Sequence, residues 1–104
     1  MKRVEAIVQP GTLDQVVRAI KKCKVGGITV SHAQGQGSAD PPLAGQYFSK
    51  ERIVAVVDDS KVEKILDAIT DIACTGNKGD GKVFVTDVVE ALDICTKERG
   101  KAAL

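Results

Sequence analysis

The sequence predicts an α+β fold, a four-stranded antiparallel sheet carrying two helices on one face. Three observations predict it. Strand and helix periodicities succeed one another as βαβ, a polar gap, then βαβ again. Each helical stretch has one apolar stripe and so needs one sheet face to cover it. The length, 104 residues, suits one domain spanning 1–104. Two helices over such a sheet form the ferredoxin-like βαββαβ sandwich. The two halves do not repeat in sequence.

Each element has its own justification. "RVEAIVQ" alternates Val4, Ala6 and Val8 with Arg3, Glu5 and Ile7, a strand rich in β-branched residues. Thr12, with Gln15 three residues on, predicts a capping box opening a helix. Leu13, Val16, Val17 and Ile20 share a face of that helix, and "VGG" is expected to end it with a left-handed glycine. "GITVSHAQ" predicts a second strand and "RIVAVVDD" a third. Between them, 35–50 is a polar, proline-containing loop, long enough to be functional. Ser60 and Glu63 suggest another capping box. Val62, Ile65, Leu66, Ile69 and Ala73 form the second apolar stripe, and "GKVFVTDV" is the fourth strand. The segment 91–104 is expected to hold a short helical turn and a tail. "IVAVV" is apolar on both faces, whereas the helices cover only one. The other face therefore needs a partner, most simply another copy of the chain.

Composition narrows the function classes. A net charge of +1 gives no general pull toward nucleic acid or acidic membranes. Cys23, Cys74 and Cys95 are scattered, and there is one histidine, so neither a disulfide framework nor a zinc site is suggested. Glu5 and Pro10 interrupt any signal-peptide core, and no apolar run approaches membrane-spanning length. Reduced thiols and a cytoplasmic location without membrane insertion are expected.

"TGNKGDGKVF", residues 75–84, carries the main chemical signal. From Gly76 it reads G-x-x-x-x-G-K, the spacing of a phosphate-binding loop. A P-loop, however, lies between a strand and a helix and ends in Ser or Thr. Here a helix precedes, a strand follows, and Val83 stands where the magnesium-holding hydroxyl belongs. A helix-to-strand turn needs only one glycine. This one has Gly76, Gly79 and Gly81, interleaved with Lys78, Asp80 and Lys82. Glycines bare amide N–H groups to an anion and lysine adds a point charge. On physics alone, anion binding and a plain turn both remain open.

The chain resembles the PII signal-transduction family over nearly all of its length except 38–50. Thr75 to Val85 match the family's T-x-x-x-G-D-G-K-[IV]-F-V signature throughout. "MKRVEAIVQPGTLDQV", "GGITVSHAQGQG", "VVDD" and "KERGKAAL" resemble further family segments. The resemblance implies a homotrimer with nucleotide sites between subunits, regulating a target protein, such as a transporter or carbon-metabolism protein, through the 35–50 loop (the T-loop). It implies nucleotide-binding roles for Gly27, Ile28, Thr29, Gly35, Gln36, Gly37, Val56, Gly79, Asp80, Gly81, Lys82 and Arg99, with 75–82 (the B-loop) around the phosphates. It implies a sensor without catalytic residues; no bound metal and no permanent cofactor are expected in this chain.

Departures from the family pattern shift the expected ligand. Ser38 and Ala39 stand where an arginine and a metal-holding glutamine are usual, and Asp93 and Cys95 replace an R-x-R pair. Three guanidinium groups are thus missing, each charged hydrogen bond being worth roughly 1.5–3 kcal/mol. ADP or AMP is therefore expected over ATP, without a magnesium–2-oxoglutarate complex. The loop is also about eight residues shorter than is usual in the family. The tyrosine modified in some relatives falls in the missing part, whereas Tyr47 lies near the loop's exit. Such divergent branches include proteins tied to carboxysomes or bicarbonate uptake, which makes bicarbonate a second candidate effector.

Several single residues have plainer roles. His32 and Cys74 read as structural, and Asp58 and Asp59 as a helix-start pair facing the dipole. Lys82 reads as a phosphate ligand. Arg99 and Lys101 either reach a neighbour's phosphates or are solvated. Three alternatives to a divergent adenylate sensor are a conventional PII nitrogen regulator binding ATP and 2-oxoglutarate, a weak nucleotide hydrolase, and an RNA-binding sheet. The hydrolase lacks a nameable general base. The RNA binder would stack bases on strand aromatics, of which there is only Phe84.

Overall fold

The computed structural model describes residues 1–41, 45 and 47–104. Four strands, β1 (Lys2–Val8), β2 (Thr29–Gly35), β3 (Phe48–Val57) and β4 (Gly81–Asp87), form one antiparallel sheet in the order β2-β3-β1-β4. Helices α1 (Leu13–Lys21) and α2 (Val62–Ala73) cross between the strands on one face. This is the ferredoxin-like sandwich.

The core follows from the alternation. Val4, Ala6 and Val8 of β1 and Ile53, Ala55 and Val57 of β3 meet Val16 and Ile20 of α1 and Ile65, Ile69 and Ala73 of α2, all buried. Leu13, Val17, Val62 and Leu66 flank the helical stripes and are partly buried. The opposite sheet face carries Ile7, Val54, Val56 and Phe84. No helix among the described residues covers it, and Phe84 remains 51% exposed. Arg3 and Arg52 both reach Glu5 there, at 3.1 and 3.8 Å.

Several element ends differ from expectation. β3 begins at Phe48, not Arg52, so the strand takes up the last residues of the 35–50 loop. Residues 42–44 and 46 of that loop lie outside the described residues. Neither capping box forms. A 3₁₀ turn precedes each α-helix, Pro10–Thr12 and Asp59–Lys61. The Thr12 hydroxyl donates back to the Gln9 carbonyl at 3.0 Å, and Asp58, not Ser60, caps the second turn by accepting the Ser60 N–H. The expected glycine C-cap is likewise replaced. α1 ends at Lys21, and the left-handed residue after it is Lys24, with φ 60°. Gly26 is small for another reason: a Cβ there would meet the Leu104 carbonyl carbon at 2.8 Å.

The C-terminal segment is not a helical turn followed by a free tail. Leu92 and Arg99 form a β-bridge, Asp93 accepts the N–H groups of Cys95 and Thr96, and Gly100–Ala103 is a 3₁₀ turn. Lys101 pairs with Asp58 at 3.0 Å. Cys23 is buried and Cys74 and Cys95 are exposed, all as free thiols.

Candidate functional site

A cleft of about 280 Å³ opens at the end of the sheet where β1 finishes and β4 begins. Ile7 and Phe84 form its apolar floor. Gly35 to Asp40 form one wall and Gly79, Gly81 and Lys82 the other. The sheet register explains the meeting: Val8 faces Gly81 and Ile7 faces Lys82, while Gly35 lies beside Phe48 on the far strand pair.

The glycine-rich turn is built to close tightly over β1. Gly81 has φ +132°, and a Cβ there would lie 2.1 Å from the Ile7 carbonyl oxygen. Gly79 also has positive φ, +90°. Its carbonyl accepts a hydrogen bond from the Gln9 amide at 2.6 Å, tying the turn to the chain leaving β1. Asp80 does not line the cleft. Its carboxylate folds back to accept the Thr75 N–H at 2.7 Å and the Thr75 hydroxyl at 2.6 Å. Those bonds, the hydroxyl's foremost, hold its pKa below the usual carboxylate range.

Two lysines line the cleft, and they differ. Lys82 makes no ion pair among the described residues. The Lys50 ammonium lies 3.2 and 3.4 Å from the two carboxylate oxygens of Asp40. Asp40 also accepts the Gly37 N–H at 2.7 Å, and that bond, more than Lys50, depresses its pKa. Chemically the cleft offers an apolar floor, a glycine-rich turn and one uncommitted cation. That set suits a flat ring with an attached phosphate group.

Of the residues singled out in the sequence, Gly35, Gln36, Gly37, Gly79, Gly81 and Lys82 share this cleft. Gly27, Ile28, Thr29, Val56 and Arg99 do not. Gly27–Thr29 leads into the opposite end of β2, with Thr29 beside Val54. Val56 borders a second hollow with Lys24–Gly26 and Leu104. Arg99, ion-paired with Glu90, follows the far end of β4. Lys101, two residues on, pairs with Asp58 just past the end of β3, which the register sets level with the far end of β4. Within one chain Arg99 and Lys82 therefore lie toward opposite ends of the sheet.

Several lining residues carried no sequence signal as site residues: Gln9, Asp40 and Lys50. Their spacing from the glycine turn is long-range, so no local motif marks them. His32, read as structural, contacts Glu51 at 2.7 Å. No group of three or more His, Cys, Asp or Glu residues is placed to hold a metal among the described residues. No described helix is long and apolar enough to cross a membrane.

Comparison with known proteins adds a family. Residues 1–98 match the family model described as "Nitrogen regulatory protein P-II". The chain is 39% identical over 112 aligned positions to the nitrogen regulatory protein P-II of Azospirillum brasilense, with both chains fully covered. The protein of that name from Bradyrhizobium diazoefficiens is equally similar, 39% over 112 positions with full coverage. A P-II homolog of Arabidopsis thaliana is 38% identical over 110 positions, covering 97% of this chain and 56% of that one. Alignment of all 104 residues over 112 positions leaves eight positions of the bacterial relatives without a counterpart here.

Proposed function

The chain belongs to the nitrogen regulatory protein P-II family, a regulatory and non-enzymatic family, and from that premise we propose that it is an adenine-nucleotide sensor favouring ADP or AMP over ATP. The observation that carries this reading is the cleft itself. It joins the Gly35–Gly37 segment to the Gly79–Lys82 turn over Ile7 and Phe84 and holds one unpaired cation. Ser38, Asp93 and Cys95 stand where the family usually has arginines, and Ala39 where it has a glutamine. Asp93 is committed to the turn at Cys95 and Thr96. Each phosphate beyond the first or second would enter with less compensation, at a cost of roughly 1.5–3 kcal/mol per missing charged hydrogen bond.

The proposed working form is a homotrimer. The apolar face bearing Val54, Val56 and Phe84 supports it, as does the separation of Arg99 and Gly27–Thr29 from Lys82. A neighbouring chain would bring the two halves of the site together. The loop beginning at Gln36 would carry the nucleotide state to a target protein. The eight alignment positions absent here equal in number the expected shortening of that loop. Bicarbonate is the proposed second effector, which would link the sensor to inorganic carbon.

The relatives' names favour a second reading, a conventional nitrogen regulator, for which ATP and 2-oxoglutarate are the ligands to test. Titration calorimetry with AMP, ADP and ATP, each with bicarbonate and with magnesium plus 2-oxoglutarate, separates the two. Tighter AMP or ADP binding supports the proposal. Tight magnesium–ATP–2-oxoglutarate binding supports the nitrogen regulator. Strengthening by bicarbonate would tie the sensor to carbon supply. Sedimentation of the same samples tests the trimer.

A further inference from the structure

We infer that Asp40 is the specificity-determining residue of the cleft: its carboxylate occupies the groups that an additional ligand anion would need. This rests on the nucleotide-sensor reading above. The cleft has two lysines, but only Lys82 is free to meet a ligand. Lys50 is clamped by both Asp40 oxygens, at 3.2 and 3.4 Å. The pair is well shielded, with Lys50 and Asp40 side chains only 12% and 16% exposed. Solvent therefore screens it less than a surface pair. The same carboxylate accepts the Gly37 N–H at 2.7 Å. Gly37 lines the cleft wall, and its amide would otherwise be offered to an incoming oxyanion.

Asp40 thus behaves as an internal anion. It satisfies one ammonium and one amide, and it repels any ligand charge that comes near them. A mononucleotide or diphosphate anchored at Lys82 avoids it. A longer polyphosphate must either displace Asp40 or lie beside it with like charge unpaired. The Gly37–Asp40 turn reinforces the arrangement, because the Asp40 N–H also donates to the Gly37 carbonyl at 3.1 Å. The carboxylate is held at the wall by the geometry of its own turn.

The test uses the full-length protein, isotopically labelled, with two variants. Asp40→Asn removes the charge but keeps an acceptor for Gly37, so the turn is preserved. Asp40→Ala releases both Gly37 and Lys50. Inorganic tripolyphosphate and the three adenine nucleotides are titrated while the Gly37 and Lys50 amide resonances are followed. Wild type should show no saturable shift at either residue with tripolyphosphate. Asp40→Asn should show one at Lys50, and Asp40→Ala at both. The ATP-to-AMP affinity ratio should rise by about tenfold or more in each variant. Adding Lys50→Gln to Asp40→Asn should return it to the wild-type value. An unchanged ratio together with unmoved resonances in both variants overturns the inference, as does a tripolyphosphate shift at Gly37 in wild type. If no nucleotide binds wild type, the sensor reading fails, yet a tripolyphosphate response confined to the variants still upholds Asp40 as the internal anion.

Discussion

Replacing Gly81 by alanine should cost far more than replacing Gly76, although both are glycines with positive φ in one turn. At Gly76 the backbone has φ +84° and a Cβ would meet nothing within 4 Å. The penalty there is conformational only, about 1–2 kcal/mol. At Gly81 the backbone has φ +132°, a region that residues with side chains scarcely adopt, costing roughly 1–3 kcal/mol. In addition, the new methyl would sit 2.1 Å from the Ile7 carbonyl oxygen and 3.2 Å from the Val8 Cα. Those atoms belong to a strand paired on both sides, so they cannot yield as a side-chain tip would. Overpacking of this kind adds about 1–3 kcal/mol. Gly81→Ala should therefore destabilise by about 2–6 kcal/mol, a large part of the ~5–15 kcal/mol available to a domain. Urea unfolding of both variants at one protein concentration measures the difference, since assembly makes stability depend on concentration. Equal losses in the two variants would show that the close approach of the turn to β1 is wrong, and with it the shape of the cleft.

Other consequences can be checked alongside. Lys82→Gln should weaken ADP binding about tenfold to a hundredfold while leaving the unfolding midpoint nearly unchanged, as judged by calorimetry and urea titration. Asp80 has a folded pKa below its unfolded value of about 3.9. Its contribution is therefore complete above that pH and lost as pH falls through the folded value. The Thr75 amide resonance should be steady at neutral pH, move on acidification, and lose that titration in Asp80→Asn. Glu51 is buried, with one carboxylate oxygen lacking a hydrogen-bond partner and the other on His32. His32→Ala should destabilise by about 1–3 kcal/mol by stranding that carboxylate. A Glu51→Leu change in the same background should recover most of the loss in chemical denaturation, because the buried polar group is removed along with its partner.

The fold was legible because its signals are local. Val4, Ala6 and Val8 announce their face by alternation, and Ile65 and Ile69 by helical spacing, so the sheet, the helices and the uncovered apolar face were all accessible. Ends were less so. Thr12 and Ser60 have the residue types of caps, but a 3₁₀ turn ahead of each helix moved the capping work to other groups. Lys24 took the left-handed position because the chain turned two residues before the glycines. In the site, Gly79, Gly81 and Lys82 were readable because turn chemistry and charge sit together in sequence. Gln9, 70 residues from Gly79, and Lys50, ten from Asp40, were not. Their roles arise from strand register and from the path of one loop, and neither leaves a mark on nearby residue types.

The placement of Lys82 at the start of β4 and of Arg99 in the segment beyond its far end has a genetic corollary. In the proposed assembly each pocket draws its lysine from one chain and its arginine from a neighbour. Chains defective at Lys82 and chains defective at Arg99 would each be inactive alone. Co-expressed, they would form mixed rings in which some pockets inherit both intact groups while others inherit neither. Partial binding would reappear, and its extent would follow the ratio of the two chains. Each chain is thus heir to a pocket it cannot complete, and two broken alleles can restore what neither encodes.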